Sequence, residues 1–323
     1  MRIRRRSLLV APLLAARPAL AQAHWPERPV RFIVPFPAGS TPDLTGRAVA
    51  ARLATAFGQP FVVENRTGAG GNIGTDFIAK ATDGHVLGLS INGPLSTAPA
   101  LYPNLPYDPA RDLIAVSLLV RGAQALVVHP DLPTRDLAGF AAHARANPGA
   151  VAFGSVGAGS GGHLAMLDLA ARLGGLDLLH VPYRGFPEAT LDLVAGRIQA
   201  MLVTAAAVLP QLREGQARAL VTTGGRRFPD LPTVPTLAEL GIADAESYGW
   251  QVMVAPAATP AVRIARLAQE ARAALADPQT RQHLQAVGFE VIGSGPEDAT
   301  HFVAAEAARW GGLIRRLGIR AEG

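Results

Sequence analysis

The sequence predicts an α/β protein, and two observations carry that prediction. Short apolar segments with β-strand character alternate with segments whose apolar residues recur at helical spacing, an order typical of sheets covered by helices. In addition, 49% of the 323 residues are apolar and only 17% are charged, a composition suited to buried cores and not to a disordered chain. A chain of this length exceeds the usual size of a single core, so we expect two lobes.

In the first part of the chain, predicted strands alternate with predicted helices. A strand is predicted at 28–35, then a Gly/Pro/Ser/Thr loop and a helix at 44–57 that Gly58 terminates. The remaining elements predicted here are a strand at 61–64, a glycine turn at 68–72, a helix at 73–81, a strand at 86–91 and two separate strands at 113–120 and 125–128.

The second part repeats this alternation and ends in helices. The predicted helices are 137–147, 163–173, 188–195, 209–214, 260–276 and 296–317, and the predicted strands are 151–154, 178–181, 198–203, 219–222 and 251–255. No fixed-period repeat or obvious linker divides the chain at its middle, so we expect two lobes joined by more than one crossover.

The net charge of +5 comes from the N-terminus. The first 23 residues contain five arginines and no acid, and without them the basic count falls from 30 to 25, equal to the 25 acidic residues. A basic start, an apolar run at 7–16 and small residues around Ala21 and Ala23 predict an export signal cleaved near one of these alanines. The general secretory route and the twin-arginine route, suggested by Arg5-Arg6, both remain open. We therefore expect a periplasmic protein.

Several chemistries are excluded or find no support. The absence of cysteine excludes disulfides, thiolate metal sites and a cysteine nucleophile. The sequence lacks the G-x-S-x-G elbow and the phosphate-binding P-loop, and its scattered histidines show no metal-ligand spacing. The neutral remainder and the dispersed tryptophans give no reason to expect nucleic-acid binding. We expect no catalytic residue, no metal and no cofactor.

Three glycine- or hydroxyl-rich turns follow predicted strands, at 37–43, 90–94 and 157–163. The first N–H groups of a helix lack internal partners and carry partial positive charge, and glycine lets the backbone approach a ligand, so such turns suit a carboxylate or phosphate. In the alternative interpretation the polar side chains cap their own helices, a role open to Ser40, Thr41, Asp43 and Ser160. Three such turns in an exported α/β chain favour a small anion site.

Residues 157–162 also match the G-x-G-x-x-G dinucleotide pattern, with Asp177 twenty positions after Gly157. A secreted dinucleotide-binding enzyme is therefore a rival hypothesis, although an exported protein meets little free nicotinamide cofactor. Two side chains near the turns are open to either interpretation: His163 as packing residue or base, and Arg184 as anion-facing or solvated.

Ordered motifs along the chain resemble the tripartite tricarboxylate transporter substrate-binding proteins, also called the Bug family. The resemblance runs from about Trp25 to the C-terminus and rests on WPERPV (25–30), VPFPAGSTPD (34–43), GQPFVVENR (58–66), GAGGNIG (68–74), PALYPNLPYD (99–108), GAGSGGHL (157–164), HVPYRG (180–185) and LPTVPT (231–236).

The resemblance implies a type II periplasmic-binding-protein fold with two α/β lobes around a ligand cleft. Residues 24–124 and 225–323 would form the first lobe and 125–224 the second. It also implies capture of a small organic carboxylate, delivery to a membrane permease or else signalling through a membrane sensor, and a monomer. The implied ligand-binding residues are Phe36, Pro37, Ala38, Gly39, Ser40, Thr41, Asp43, Asn92, Gly93, Gly157, Ala158, Gly159, Ser160, Gly161, His163, Tyr183, Gly185 and Thr204.

Two departures from the family pattern bear on the ligand. Gly39-Ser40 stands where the family usually has two glycines, and Val203-Thr204 stands where it often has an acid and an amide. Without that acid nothing there would meet a ligand ammonium group. The departure favours a plain or aromatic acid over an amino acid.

Overall fold

The computed structural model describes residues 25–319, so the predicted export signal at 1–23 lies outside the described residues. The strands are β1 (Val30–Val34), β2 (Phe61–Asn65), β3 (Val86–Ile91), β4 (Leu113–Val128), β5 (Ala152–Ser155), β6 (Leu179–Pro182), β7 (Ala200–Thr204), β8 (Arg218–Thr222), β9 (Tyr248–Pro256) and β10 (Glu290–Val291). The α-helices are α1 (Thr41–Phe57), α2 (Asn72–Ala79), α3 (Ala98–Leu101), α4 (Pro109–Asp112), α5 (Leu137–Ala146), α6 (Gly161–Arg172), α7 (Phe186–Val194), α8 (Leu209–Arg213), α9 (Ala261–Ala276), α10 (Pro278–Ala286) and α11 (Pro296–Leu317).

The strands form one mixed sheet with two parallel parts. Its order is β2-β1-β3-β9-β4-β7-β5-β6, and β8 and β10 also pair with β4. In the first half-sheet β1 runs parallel to β2 and β3. In the second half-sheet β5 runs parallel to β6 and β7. The antiparallel strands β4 and β9 join the two. Within each half-sheet the loops after the parallel strands therefore emerge at one edge.

The strand β4 corrects one prediction. The sequence suggested two strands separated at Arg121–Gln124, but residues 113–128 form one continuous strand. Small and polar residues interrupt the apolar run there, yet the backbone keeps its partners because the pairing of β4 with β9 continues to Ala123 and the pairing with β7 begins at Gln124. This strand crosses directly from the first half-sheet to the second.

Each half-sheet has its own apolar core. In the first, α1 and α9 bury Val49, Leu53 and Leu267 against β1, β3 and β9. In the second, α5 and α6 bury Phe140 and Leu164 against β5 and β7. The C-terminal helix α11 contributes to a core in each half. Its early residue Ala299 packs with the side chains of β9, while Trp310, Leu313 and Ile314 join the core of the second half-sheet.

Helix starts differ from the predictions where capping decides them. Pro42 falls in the first turn of α1, where proline is well tolerated, so the helix begins at Thr41 and not at residue 44. Ser160 caps α6, which therefore begins at Gly161 and not at His163. The helix α10 was missed because its sequence, PQTRQHLQA, buries only Leu284 and shows no apolar period. None of the described helices is both long and apolar enough to cross a membrane.

Candidate functional site

Loops from the two half-sheets meet across a cleft. Phe36, which follows β1, stacks on Phe186 at the start of α7, with ring centroids 6.4 Å apart. Beside this pair, Pro37 Cγ would lie 2.8 Å from a methyl group added at Gly185, so only glycine fits there. Three of the predicted site residues thus form a direct contact between the halves.

The loop after β1 is shaped by Asp43. Its buried carboxylate accepts hydrogen bonds from the Gly39 N–H, from Asn65 Nδ2 and from Arg47 Nε, each at 2.9 Å. Burial alone would raise the pKa of Asp43, but these hydrogen bonds hold it below its ordinary value. The Ser40 hydroxyl donates to the Pro37 carbonyl at 2.6 Å and makes no capping bond. Asp43 and Ser40 therefore position the loop with their side chains. The rest of this predicted set lies around them: Ala38 and Gly39 are exposed at the rim, and Thr41 is half-buried at the helix start.

The end of β3 provides the next wall. Asn92 Nδ2 donates to the Tyr248 carbonyl at 3.1 Å, and Asn92 Oδ1 accepts from the Trp250 N–H at 3.3 Å, which fixes the amide against β9. A methyl group added at Gly161 would lie 3.2 Å from Asn92 Cγ. Gly93 opens a single π-helical turn, and Thr97 at its end donates across the cleft to the Gly159 carbonyl at 2.5 Å.

The loop after β5 brings a helix N-terminus to the cleft. Ser160 Oγ accepts from the His163 N–H at 3.4 Å and so caps α6. Gly157 and Gly159 have φ of 114° and 77°, a region that favours glycine. With Ala158 half-buried between them, this turn approaches the opposite half so closely that a methyl group at Gly157 would lie 3.2 Å from Gly70 Cα.

Behind this loop, two histidines stack. The rings of His163 and His180 lie 4.0 Å apart, and Phe153 completes the stack. His163 Nδ1 accepts from the Gly159 N–H at 3.0 Å, and His180 Nε2 lies 2.7 Å from Ser155 Oγ. Burial lowers the pKa of His163 to about 3, with His180 adding to the effect, and burial lowers the pKa of His180 to about 4. Both imidazoles are therefore neutral near pH 7, and His163 supports the loop from behind.

The remaining predicted residues lie at the carboxyl ends of β6 and β7. The Tyr183 hydroxyl donates to Asp192 Oδ2 at 2.8 Å and so points toward α7. Burial first, and then Asp192, raise the pKa of Tyr183 to about 12. Arg184, in the same turn, is exposed. Thr204 is 8% exposed and packs against Gly249 of β9.

Between the halves lies a cavity of ≈ 30 Å³. Four predicted residues line it: Asn92, Ser160, Gly161 and Thr204. Its wall contains no charged side chain, so the polar groups available are hydroxyls, amides and the first N–H groups of α6 at Gly161 and Gly162. An anion here would be held by neutral donors and by the positive end of a helix.

Sequence reasoning missed three parts of the cleft: Gln124, Phe186 and the turn at Gly70. The amide oxygen of the buried Gln124 accepts from Ser247 Oγ at 2.8 Å, and its side chain lines the cavity. A polar residue inside the apolar strand β4 was the available signal. Gly70 and Phe186 gave none, because only the folded chain brings them against the opposite half.

The dinucleotide hypothesis fails on geometry. Asp177 precedes β6, and its backbone carbonyl accepts from the Gly149 N–H ahead of β5. It therefore lies at the amino ends of these strands, while a ribose-binding acid belongs at the carboxyl ends, beside the glycine turn. In the described part of the chain, no three His, Asp or Glu side chains cluster to hold a metal ion.

Comparison with known proteins decides the family. The sequence pattern described as "Tripartite tricarboxylate transporter family receptor" matches residues 45–319. The chain belongs to this receptor family. Protein BugT of Bordetella pertussis is 36% identical to this chain over 315 residues, and the match covers 97% of this chain and 96% of BugT. The predicted membership of the Bug group is thereby confirmed.

Solved structures of similar proteins confirm the predicted fold class. The periplasmic binding protein BugD superposes with a TM-score of 0.86 at 32% identity, covering 92% of the receptor and 100% of that chain. Rpa4515 of R. palustris with adipate gives 0.86 at 33% identity with the same coverages. MatC of Rhodopseudomonas palustris with bound malate gives 0.85 at 31% identity, covering 90% of the receptor and 100% of that chain. The receptor thus has the α/β fold of periplasmic binding proteins.

Proposed function

We propose that the protein is a periplasmic receptor that captures a small organic carboxylate and presents it to the membrane permease of a tripartite tricarboxylate-type transporter. It would act by binding and release, without catalysing a reaction. The observation that carries this proposal is the lining of the cleft cavity, where the N-terminus of α6, the Ser160 and Thr204 hydroxyls and the Asn92 and Gln124 amides converge without a charged residue. The lobes would have to part to admit an organic acid, because ≈ 30 Å³ holds only about one water molecule.

Neutral donors suit a carboxylate that must be released again. Each N–H or O–H donor to an ionised oxygen contributes about 1.5–3 kcal/mol without placing a countercharge in the cleft. The Gly161 and Gly162 amides, which begin α6, add the helix dipole. The similar proteins with adipate and with malate bind carboxylates of this kind.

The ligand would be a plain organic acid. The last two residues of β7 are Val203 and Thr204, and neither carries a charge that could pair with an ammonium group. Since the whole cavity wall is uncharged, an amino acid would leave its ammonium group buried and unpaired there. A di- or tricarboxylate or an aromatic acid avoids this cost.

Closure of two lobes would couple binding to transport. In this proposal residues 24–124 and 225–323 form one lobe and 125–224 the other. They move about β4, the connection between β8 and β9, and the helix α11, which packs in both halves. A ligand touching both Asn92 and Ser160 stabilises the closed arrangement only through this double contact. The permease would recognise that arrangement in a monomeric receptor.

The two histidines favour a binding role over catalysis. His163 is buried, His180 is half-buried, both are neutral, and their ring nitrogens already contact Gly159 and Ser155. A general base needs a lone pair directed at the substrate, and His163 Nδ1 is committed to the loop. Residues 1–23 would direct export, and N-terminal sequencing of the exported protein should begin at Gln22 or His24.

A ligand panel tests the proposal. Thermal-shift screening followed by calorimetry would compare succinate with aspartate, glutarate with glutamate, and benzoate, citrate and NADH at equal ionic strength. Succinate and aspartate differ only by the ammonium group, so we expect a plain acid to bind at least about tenfold more tightly than its amino-acid counterpart. Tighter binding of aspartate or glutamate would contradict the predicted ligand class. A response to NADH alone would contradict the receptor function.

A further inference from the structure

A second, larger pocket lies beside the connections between the half-sheets. We call it the hinge pocket. Its volume is ≈ 740 Å³, within the usual range of small-molecule sites. It is lined by residues 121–123, 224–230 and 288–291 together with Tyr248, Arg281 and Gln285. None of these residues lines the cleft cavity.

Arginine side chains outnumber acidic ones in the hinge pocket. Four arginines and two acids line it, and the carboxylate of a third acid, Glu246, lies beside Gly225 and Tyr248. The two acids are each matched: Glu290 pairs with Arg121 at 2.7 Å, and Asp230 pairs with Arg213, outside the pocket, at 2.6 Å. Arg227 is likewise neutralised by Glu239, also outside the pocket, at 2.9 Å.

Arg226 and Arg281 are the two arginines of the hinge pocket that have no acidic partner among the described residues. Within residues 25–319 neither guanidinium has an ion pair or a side-chain hydrogen bond, and both are exposed. They come from different elements, the segment after β8 and the helix α10. Two unmatched guanidinium groups that line one pocket favour a ligand with at least two negative charges.

The remaining wall favours a compact, polar anion. It includes the backbone of Gly122, Gly224, Gly225 and Gly288, where no side chain shields the peptide groups. The ring of Tyr248 is already covered by Arg121, whose Cζ lies 4.8 Å from its centroid. The Tyr248 hydroxyl accepts from the Gly225 N–H at 3.1 Å and lies 3.2 Å from Glu246 Oε2. Arg121 therefore occupies one face of the Tyr248 ring, and the Tyr248 hydroxyl is already hydrogen-bonded.

We propose that the hinge pocket binds a small oxyanion carrying two or more negative charges, held between Arg226 and Arg281. Such a ligand would touch both connections between the half-sheets, the stretch of β4 at 121–123 and the segment that leads from β8 to β9. Its binding free energy would then depend on the angle between the halves.

The pocket is also linked to the cleft through one side chain. Thr204 lines the cleft cavity, and its Cγ2 would lie 2.8 Å from a methyl group added at Gly122, which lines the hinge pocket. Anion binding at the hinge and carboxylate binding in the cleft would therefore influence each other, and by thermodynamic linkage equally in both directions.

Calorimetry with inorganic phosphate tests the site, with citrate as the organic counterpart. Titrations at pH 8 and constant ionic strength would use the wild-type protein, Arg226→Ala/Arg281→Ala and the control Arg135→Ala/Arg315→Ala. The control removes two exposed arginines that make no ion pair within the described residues and do not line the pocket. We expect the pocket variant to weaken binding of at least one anion by about tenfold or more, and the control to change it less than about twofold. The anion whose binding the pocket variant weakens more identifies the source as organic or inorganic.

A cleft variant separates this site from the receptor site. Ser160→Trp places a side chain much larger than the ≈ 30 Å³ cavity in the cleft, so it should abolish binding of the acids selected by the ligand panel, while phosphate still binds. Circular dichroism melting would confirm that every variant is folded. Absence of phosphate and citrate binding to the wild-type protein, equal weakening by the control pair, or loss of phosphate binding in Ser160→Trp would each overturn the proposal.

Discussion

The hydrogen bond from Thr97 to Gly159 gives the sharpest test of the contact between the halves. Thr97 is 1% exposed, and its hydroxyl lies 2.5 Å from the Gly159 carbonyl and 3.1 Å from the Gly93 carbonyl in its own turn. Thr97→Val keeps the shape and removes the donor. A lost hydrogen bond between neutral groups costs about 1 kcal/mol, and a buried carbonyl left without a partner raises the cost to about 1–3 kcal/mol. We expect the free energy of unfolding to fall by that amount.

Thr300→Val is the matched control. Its hydroxyl donates to the Pro296 carbonyl at 2.8 Å within α11, the same local bond that Thr97 makes to Gly93, but it is exposed and reaches no other element. Helix propensities of threonine and valine are similar, so that contribution cancels. Urea denaturation would give both free energies, and hydrogen exchange would report opening at 157–160. A loss for Thr97→Val within about 0.5 kcal/mol of the control would refute the reasoning.

Two further variants test the cleft and the histidine stack. Gly161→Ala places a methyl group 3.2 Å from Asn92 Cγ, so affinity for the selected acid should fall by about tenfold in calorimetry. The control Gly312→Ala, whose added methyl group has no atom within 4 Å, should keep the affinity and add up to about 1 kcal/mol to the free energy of unfolding. Equal affinities of the two variants would contradict the predicted contact. The pKa values of His163 and His180 in the folded protein, about 3 and about 4, lie below the unfolded value of 6.5. Below pH 6.5 the unfolded chain therefore binds more protons than the folded one. The free energy of unfolding should then fall as the pH drops, by up to about 1.4 kcal/mol per pH unit for each histidine. His163→Phe keeps a stacking ring and should reduce the dependence of the unfolding free energy on pH between 6.5 and 4.5, measured by urea denaturation. The control His301→Phe, at an exposed position, should not reduce it. An unchanged pH dependence in His163→Phe would contradict the proposed neutral state of the histidine stack.

Much of the cleft could be predicted because its walls are turns with a local signature. Glycine and hydroxyl residues after strands marked the loops at 37–43 and 157–163, and the structure brings both to the cleft. The roles within the loops were harder to predict. Ser40 was a candidate cap, yet its hydroxyl turns back to Pro37, and Asp43 became the hub of the loop through Asn65, a residue 22 positions away.

The surroundings of His163 could not be predicted from the sequence either. Its place beside the glycine turn indicated the site, but its packing depends on His180 and Phe153, which belong to different strands. No spacing within one segment reveals which face of a loop a side chain will occupy. Gln124 was missed for a related reason, since its neighbour Ser247 lies 123 positions away in the chain.

Local chemistry was therefore enough for the α/β class, most strand and helix positions, the neutral remainder of the chain and the glycine turns that suit an anion. These properties depend on periodicity, backbone conformation and formal charge, which neighbouring residues determine. The pairing of β4 with both half-sheets, the burial of the histidine stack, the uncharged wall of the cleft and the unmatched arginines of the hinge pocket appeared only in the folded chain. Each of them depends on which distant groups meet, because burial and charge compensation belong to pairs of surfaces and not to single segments.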